Sequence, residues 1–169
     1  MFDKEFWEVG SYVVTVIGLP VAIAIFLFQQ RKERENEEEQ AYQTLSDAYN
    51  AFLQVVLANP DLRLRSTAYV EELSDEQLER KRIIFEMLVS LFERAYLVAY
   101  SPEMSPTESR RWNSWEDYMR EWCRREDFCQ LLDTLLKGED PDFSSYIQAL
   151  AMQEWNGSPP RGGAIHTGG

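Results

Sequence analysis

Residues 9–28 read VGSYVVTVIGLPVAIAIFLF, twenty positions without a charged side chain, and residues 29–34 read QQRKER. At about 1.5 Å of rise per residue, a helix of this length covers roughly 30 Å, the thickness of one hydrocarbon layer. A buried helix of a water-soluble domain seldom runs so far without a charge and then meets a basic cluster. The pattern therefore predicts a transmembrane helix over 9–28. A cleaved leader fits less well, because Asp3, Glu5 and Glu8 outnumber Lys4 where such a leader carries positive charge, and no small-x-small site follows the run.

Lys and Arg in the flanks set the expected orientation. Lys4 precedes the run, whereas Arg31, Lys32 and Arg34 follow it, so the amino terminus is expected outside and the carboxyl side in the cytoplasm. Residues 1–8 then form a short extracytoplasmic end, with Phe2, Phe6 and Trp7 suited to the outer headgroup layer. Trp7, Arg31, Lys32 and Arg34 are the expected membrane-surface residues. Within the run, Ser11, Thr15, Gly18 and Ala22 recur at four, three and four, a small-residue face on which a second helix can pack closely. Pro20 removes the hydrogen bond its amide would give the Val16 carbonyl, which predicts a kink.

Between Pro20 and Pro60 there is neither Gly nor Pro, so the helix is expected to continue through a charged juxtamembrane stalk over 29–40. Basic residues lie first in it and Glu37, Glu38 and Glu39 beyond, an order that suits anionic headgroups on one side only. Residues 41–155 read as a cytoplasmic helical domain. Ala41, Leu45, Ala48, Phe52 and Val55 form a stripe at four and three, flanked by Tyr42, Tyr49 and Val56 and ending near Asn59-Pro60. Ser74-Asp75-Glu76-Gln77 has the capping-box pattern and opens a second helix. Its inner stripe is Phe85, Leu88, Phe92, Ala95 and Ala99, widened by Ile84, Leu91 and Val98, with Glu86, Ser90, Glu93 and Arg94 facing water.

Ser101-Pro102 ends that helix, and Ser105-Pro106-Thr107-Glu108 starts the next, along which Trp112, Trp115, Met119 and Trp122 align. A helix from about Arg125 to Lys137 stops at Gly138, and a last one follows Asp140-Pro141-Asp142. Residues 156–169, rich in Gly and Pro, are expected to be a disordered tail. The fold class is thus all-α: one transmembrane helix continuing into a small bundle of about five helices.

Composition narrows the function. The 169 residues carry 29 Asp and Glu against 17 Lys and Arg, a net charge of -12, which excludes a general nucleic-acid binder. Apolar residues make up 44% and aromatic residues 13%, enough for a real core. The one histidine, His166, lies in the glycine-rich end, where nothing rigid would poise it for catalysis. Cys123 and Cys129 are six apart, on different faces of a continuous helix, and read as buried thiols. No phosphate-loop, dinucleotide or nucleophile motif is present, and no catalytic residue, metal ligand or cofactor is expected.

Residues 110–125, RRWNSWEDYMREWCRR, combine five arginines with three tryptophans. Two readings stand here. Arg110, Arg111, Arg120, Arg124 and Arg125 are a candidate partner surface, or the tryptophans belong to the core and the arginines pair with Glu116, Asp117 and Glu121. The leading expectation is a single-pass, membrane-anchored helical interaction protein, an accessory subunit or adaptor of a membrane complex without catalysis of its own. Its partners are then the lipid bilayer, a protein in or at the membrane, and in one alternative a second copy of itself. That alternative is a homo-oligomer of channel type. A membrane-tethered enzyme or toxin working through carboxylates is the other.

Overall fold

The computed structural model describes the backbone of residues 4–66 and 73–155, and the side chains of residues 21–34, 36–66 and 73–155. Five α-helices and one short 3-10 turn make up these residues, with no strand among them. They are α1 (Lys4–Ala58), the turn Pro60–Leu62, α2 (Asp75–Ala99), α3 (Pro106–Cys123), α4 (Glu126–Leu135) and α5 (Pro141–Glu154). The chain divides into two compact units, Met1–Thr44 and Leu45–Gly169.

The first unit is helical from Lys4 onward, through the stretch free of helix breakers after Pro20. Every side chain from Val21 to Arg34 is exposed. Among the described residues no helix is long and apolar enough to cross a membrane. Of the expected span, the side chains of residues 9–20 lie outside the described residues. So do those of Trp7, Ser11, Thr15 and Gly18, and the tail 156–169 with His166.

The second unit is a helical bundle whose elements follow from periodicity and caps. Leu45, Tyr49, Phe52 and Val56, at spacings of four, three and four, are the buried residues of the last turns of α1. Both expected capping boxes form. Ser74 Oγ accepts from the Gln77 amide at 3.3 Å while Gln77 Oε1 accepts from the Ser74 amide at 2.9 Å. Ser105 and Glu108 repeat the exchange at 3.3 and 2.6 Å at the head of α3, where Pro106 costs no hydrogen bond. Asp140 caps α5 by accepting from the amides of Asp142 and Phe143. After α4 the chain reverses at Gly138, whose φ of 98° is open to glycine and strained for other residues.

α2 packs against α3, α4 and α5. It buries Ile84, Phe85, Leu88, Val89, Leu91, Phe92 and Ala95. Its stripe ends earlier than the spacing predicts: Val98 is 54% exposed and Ala99 only half-buried, because no element among the described residues covers that side of the last turn. Glu93, expected in water, is half-buried and accepts from the Asp140 amide at 2.5 Å. α4 is also shorter than expected, running from Glu126 to Leu135, because the chain turns between Leu136 and Gly138.

Two aromatic clusters fix the helices relative to one another within this unit. Trp122 of α3 meets Phe52 of α1 and Phe85 of α2 edge-on, at centroid distances of 5.7 and 6.2 Å, and Phe85 meets Phe128 of α4 at 5.2 Å. At the other end Tyr96, Tyr100, Trp112, Phe143 and Tyr146 join α2, α3 and α5. Fully burying each such ring is worth about 1.5–3 kcal/mol, and well-set edge contacts add about 0.5–1.5 kcal/mol. Phe92 has no exposure, so truncating it removes a whole buried ring from the core. Phe92→Ala is expected to destabilise the bundle by about 3–5 kcal/mol, and Ser105→Ala by about 1 kcal/mol through the lost cap. Urea unfolding of the full-length chain, followed by tryptophan fluorescence, measures both.

Candidate functional site

The arginine-tryptophan helix α3 sorts its residues by face. Trp112, Trp115, Met119 and Trp122 are buried, as one of the two sequence readings has it. The arginines do not gather on one open surface. Arg110 is exposed and donates to Thr107 Oγ1 at 3.4 Å, and Arg111 is half-buried and engaged by a neighbour.

Arg120, Arg124 and Arg125 make contacts between elements of the bundle. Arg120 donates to Glu116 Oε1 at 2.9 Å on its own helix, and to Glu154 Oε1 at 3.0 Å and Gln153 Oε1 at 2.9 Å on α5. Arg124 completes the Glu154 carboxylate at 2.7 Å. The row continues toward the other end, where the Trp112 indole donates to the Tyr146 hydroxyl at 3.0 Å and Tyr146 donates to Glu116 Oε2 at 2.5 Å. Burial alone would raise the Glu116 carboxyl, but donation from Tyr146 and Arg120 outweighs it and leaves Glu116 below its ordinary value. Glu154 is lowered chiefly by Arg124, against its partial burial and with help from Arg120. Burial and donation to Glu116 push the Tyr146 phenol well up, so it remains a neutral donor.

Arg125 works elsewhere. Its Nη1 donates to the carbonyls of Leu64 at 2.8 Å and Ser66 at 3.0 Å, and its Nε and Nη2 grip Asp127 at 3.1 and 2.8 Å. These carbonyls follow Arg63, which sits in the left-handed region at φ 47° and has no helix to satisfy its neighbours. Asp127 also receives Lys81 from α2 at 3.3 Å. Its burial would raise the carboxyl, but Arg125 and Lys81 hold it low. Glu121 pairs with Arg65 at 2.7 Å rather than with an arginine of its own helix.

A carboxyl pair lies at the turn before α5. Glu139 is raised from 4.5 to about 7, first by its hydrogen bond with Glu93, then by burial and by the Glu93 charge. Among the described residues no group of His, Cys, Asp or Glu is arranged to hold a metal ion.

Two apolar arrangements are exposed, the first within the uncharged run read from the sequence and the second on the outer side of α2. Val21, Ile23, Ile25, Phe26, Leu27 and Phe28 of α1 are each 50–69% exposed, and Arg31, Lys32 and Arg34 follow them into solvent, as does Ala22. On α2, Ile83, Met87, Leu97 and Val98 are 44–59% exposed. With Ser90 and Arg94 they fall within an arc of about 100° at 3.6 residues per turn, opposite the buried stripe. That second period is readable in the sequence, but the stronger inner stripe masks it.

No family model, no curated protein and no solved structure matches this chain.

Magnitudes separate the arginines. Arg120 and Glu154 are 24% and 15% exposed, so truncating Arg120 takes a partner from two carboxylates at a packed seam and leaves Glu116 only Tyr146 and Glu154 only Arg124, which is itself 63% exposed. Arg120→Ala is expected to cost about 2–3 kcal/mol and Arg124→Ala less than about 1 kcal/mol in urea midpoints. The acids give a signed pH dependence. A carboxyl raised on folding contributes stability that is full below 4.5 and is lost as pH rises toward about 7. Glu116, Asp127 and Glu154, all lowered, contribute above the ordinary carboxylate range and lose it in acid. Stability is therefore expected to fall between pH 5 and 7.5, roughly, and Glu139→Gln to flatten that fall, as read in unfolding midpoints across the range.

Proposed function

We propose that the protein is a single-pass, membrane-anchored helical interaction protein, an accessory subunit or adaptor of a membrane complex. Residues 9–28 span the bilayer, the amino terminus lies outside, and the helical body works in the cytoplasm without catalysis of its own. The observation that carries this reading is the uncharged run of twenty residues closed by Gln29, Gln30, Arg31 and Lys32. The eight residues of that run whose side chains are described, 21–28, support it energetically. Six large apolar side chains are at least half exposed there, and at about 1.5–3 kcal/mol for each fully buried side chain they gain on the order of 10 kcal/mol in an apolar surrounding. Arg31, Lys32 and Arg34 then sit where anionic headgroups attract each by about 1 kcal/mol.

For the protein partner, the outer strip of α2 is the favoured surface. Its four apolar side chains at helical spacing suit an amphipathic partner helix, and Arg94 among them asks for an acidic residue on that helix. The arginines of α3 and α4 are less suited, since Arg120 and Arg125 are committed to contacts within the fold.

A reporter active only outside the cytoplasm, fused after Gly169, is expected to be silent, and one that fluoresces only in the cytoplasm is expected to shine. The reverse pattern overturns the orientation, and replacing Arg31, Lys32 and Arg34 by Gln should weaken it. Cross-linking in intact membranes tests the partner: Leu97→Glu is expected to remove a heterologous band, whereas a self-linked band lost with Gly18→Leu would point to the homo-oligomer.

A further inference from the structure

The chain has two cysteines, and the fold brings them together. Cys123 is the last residue of α3, and Cys129 lies in the first turns of α4. On one unbroken helix, six residues would set them on different faces, but the helix breaks between them. Arg124 keeps a helical conformation, whereas Arg125 is extended at φ -85° and ψ 124° and opens α4 in a new direction. Cys129 Sγ consequently donates to the Cys123 carbonyl at 2.9 Å, which brings the two residues side by side. The Trp155 indole donates to the same carbonyl at 2.7 Å, so the ends of α3 and α5 meet at this point.

The two sulfurs differ in access. Cys123 is completely buried and Cys129 is partly exposed. Contact with Cys129 and burial push the Cys123 thiol far up. The same contact lowers Cys129, against its burial and aided by Trp155. A partly exposed thiol set beside a buried second one, with the exposed thiol ionising first, is the arrangement a dithiol needs to be oxidised in two steps.

We propose that Cys123 and Cys129 form a reversible dithiol–disulfide site that accepts oxidising equivalents from a low-molecular-weight disulfide. The Cys129 thiolate attacks one sulfur of that disulfide, the S–S bond breaks, and one small thiolate leaves. Cys123 then loses its proton to solvent and attacks Cys129 Sγ, expelling the second small thiolate. One small disulfide and two protein thiols become two small thiols and one protein disulfide. In a reducing compartment the pair rests as thiols, and a shift toward oxidised glutathione closes it. The inference is independent of the membrane reading.

The test uses full-length protein equilibrated in mixtures of reduced and oxidised glutathione, quenched in acid, then unfolded in denaturant and capped with N-ethylmaleimide at neutral pH. Wild type is expected to pass from two capped thiols to none, with loss of two hydrogens and no glutathione retained. Trypsin cuts at Arg124 and Arg125, so the bond should hold together two peptides that otherwise separate. Cys123→Ser is expected to retain one glutathione on Cys129, since no second thiol resolves it, and Cys129→Ser to resist modification because its remaining thiol is buried. Wild type that keeps both thiols across the series, retains glutathione, or links between chains overturns the proposal. This readout stands even if a variant fails to fold.

Discussion

Trp122 is the point on which the packing of the bundle turns. Its indole is 1% exposed and lies edge-on to Phe52 of α1 and Phe85 of α2, with Phe128 of α4 beside it and the Arg65 guanidinium over its ring. Four helices thus take their spacing from one side chain. An indole is broad and has few rotamers, so helices packed around it have little freedom to slide. α3, the helix with the most polar sequence of the bundle, becomes its centre because three of its residues are tryptophans on one face.

The polar contacts follow from that placement. With Trp112 and Trp122 turned inward, the flanking Glu116 and Arg120 lie along the seam with α5, where burial would penalise either charge alone. Tyr146, Gln153 and Glu154 supply their partners. Such a row adds little net stability over an apolar seam of the same shape, but it makes misaligned packing expensive, because any slip leaves a charge unpaired. Arg125 serves the backbone instead, satisfying carbonyls left open where the chain passes through Arg63.

Two apolar surfaces stand outside this economy of burial. Val21–Phe28 and the outer strip of α2 are exposed in the isolated chain, one ending in a basic cluster and the other enclosing Arg94. Acidic residues dominate the chain as a whole, yet basic residues stand beside both apolar patches, the feature on which the proposed lipid and partner-helix surfaces rest.

Helix existence, caps and inner faces were legible in the sequence because they depend on near neighbours. The spacing of Leu45, Phe52, Phe85, Phe92 and Trp122, the boxes at Ser74 and Ser105, and the turn at Gly138 each involve residues within a few positions of one another. What the sequence could not reveal involves partners far along the chain. Glu154 meets Arg120 across more than thirty residues, Arg125 reaches back about sixty to Leu64, and Glu93 meets Asp140 across 47. The cysteine pair shows the boundary most clearly. Its spacing of six implies separation on a continuous helix. Only the break at Arg125, which frees α4 to pack Phe128 against Phe85 and Trp122, turns that separation into contact.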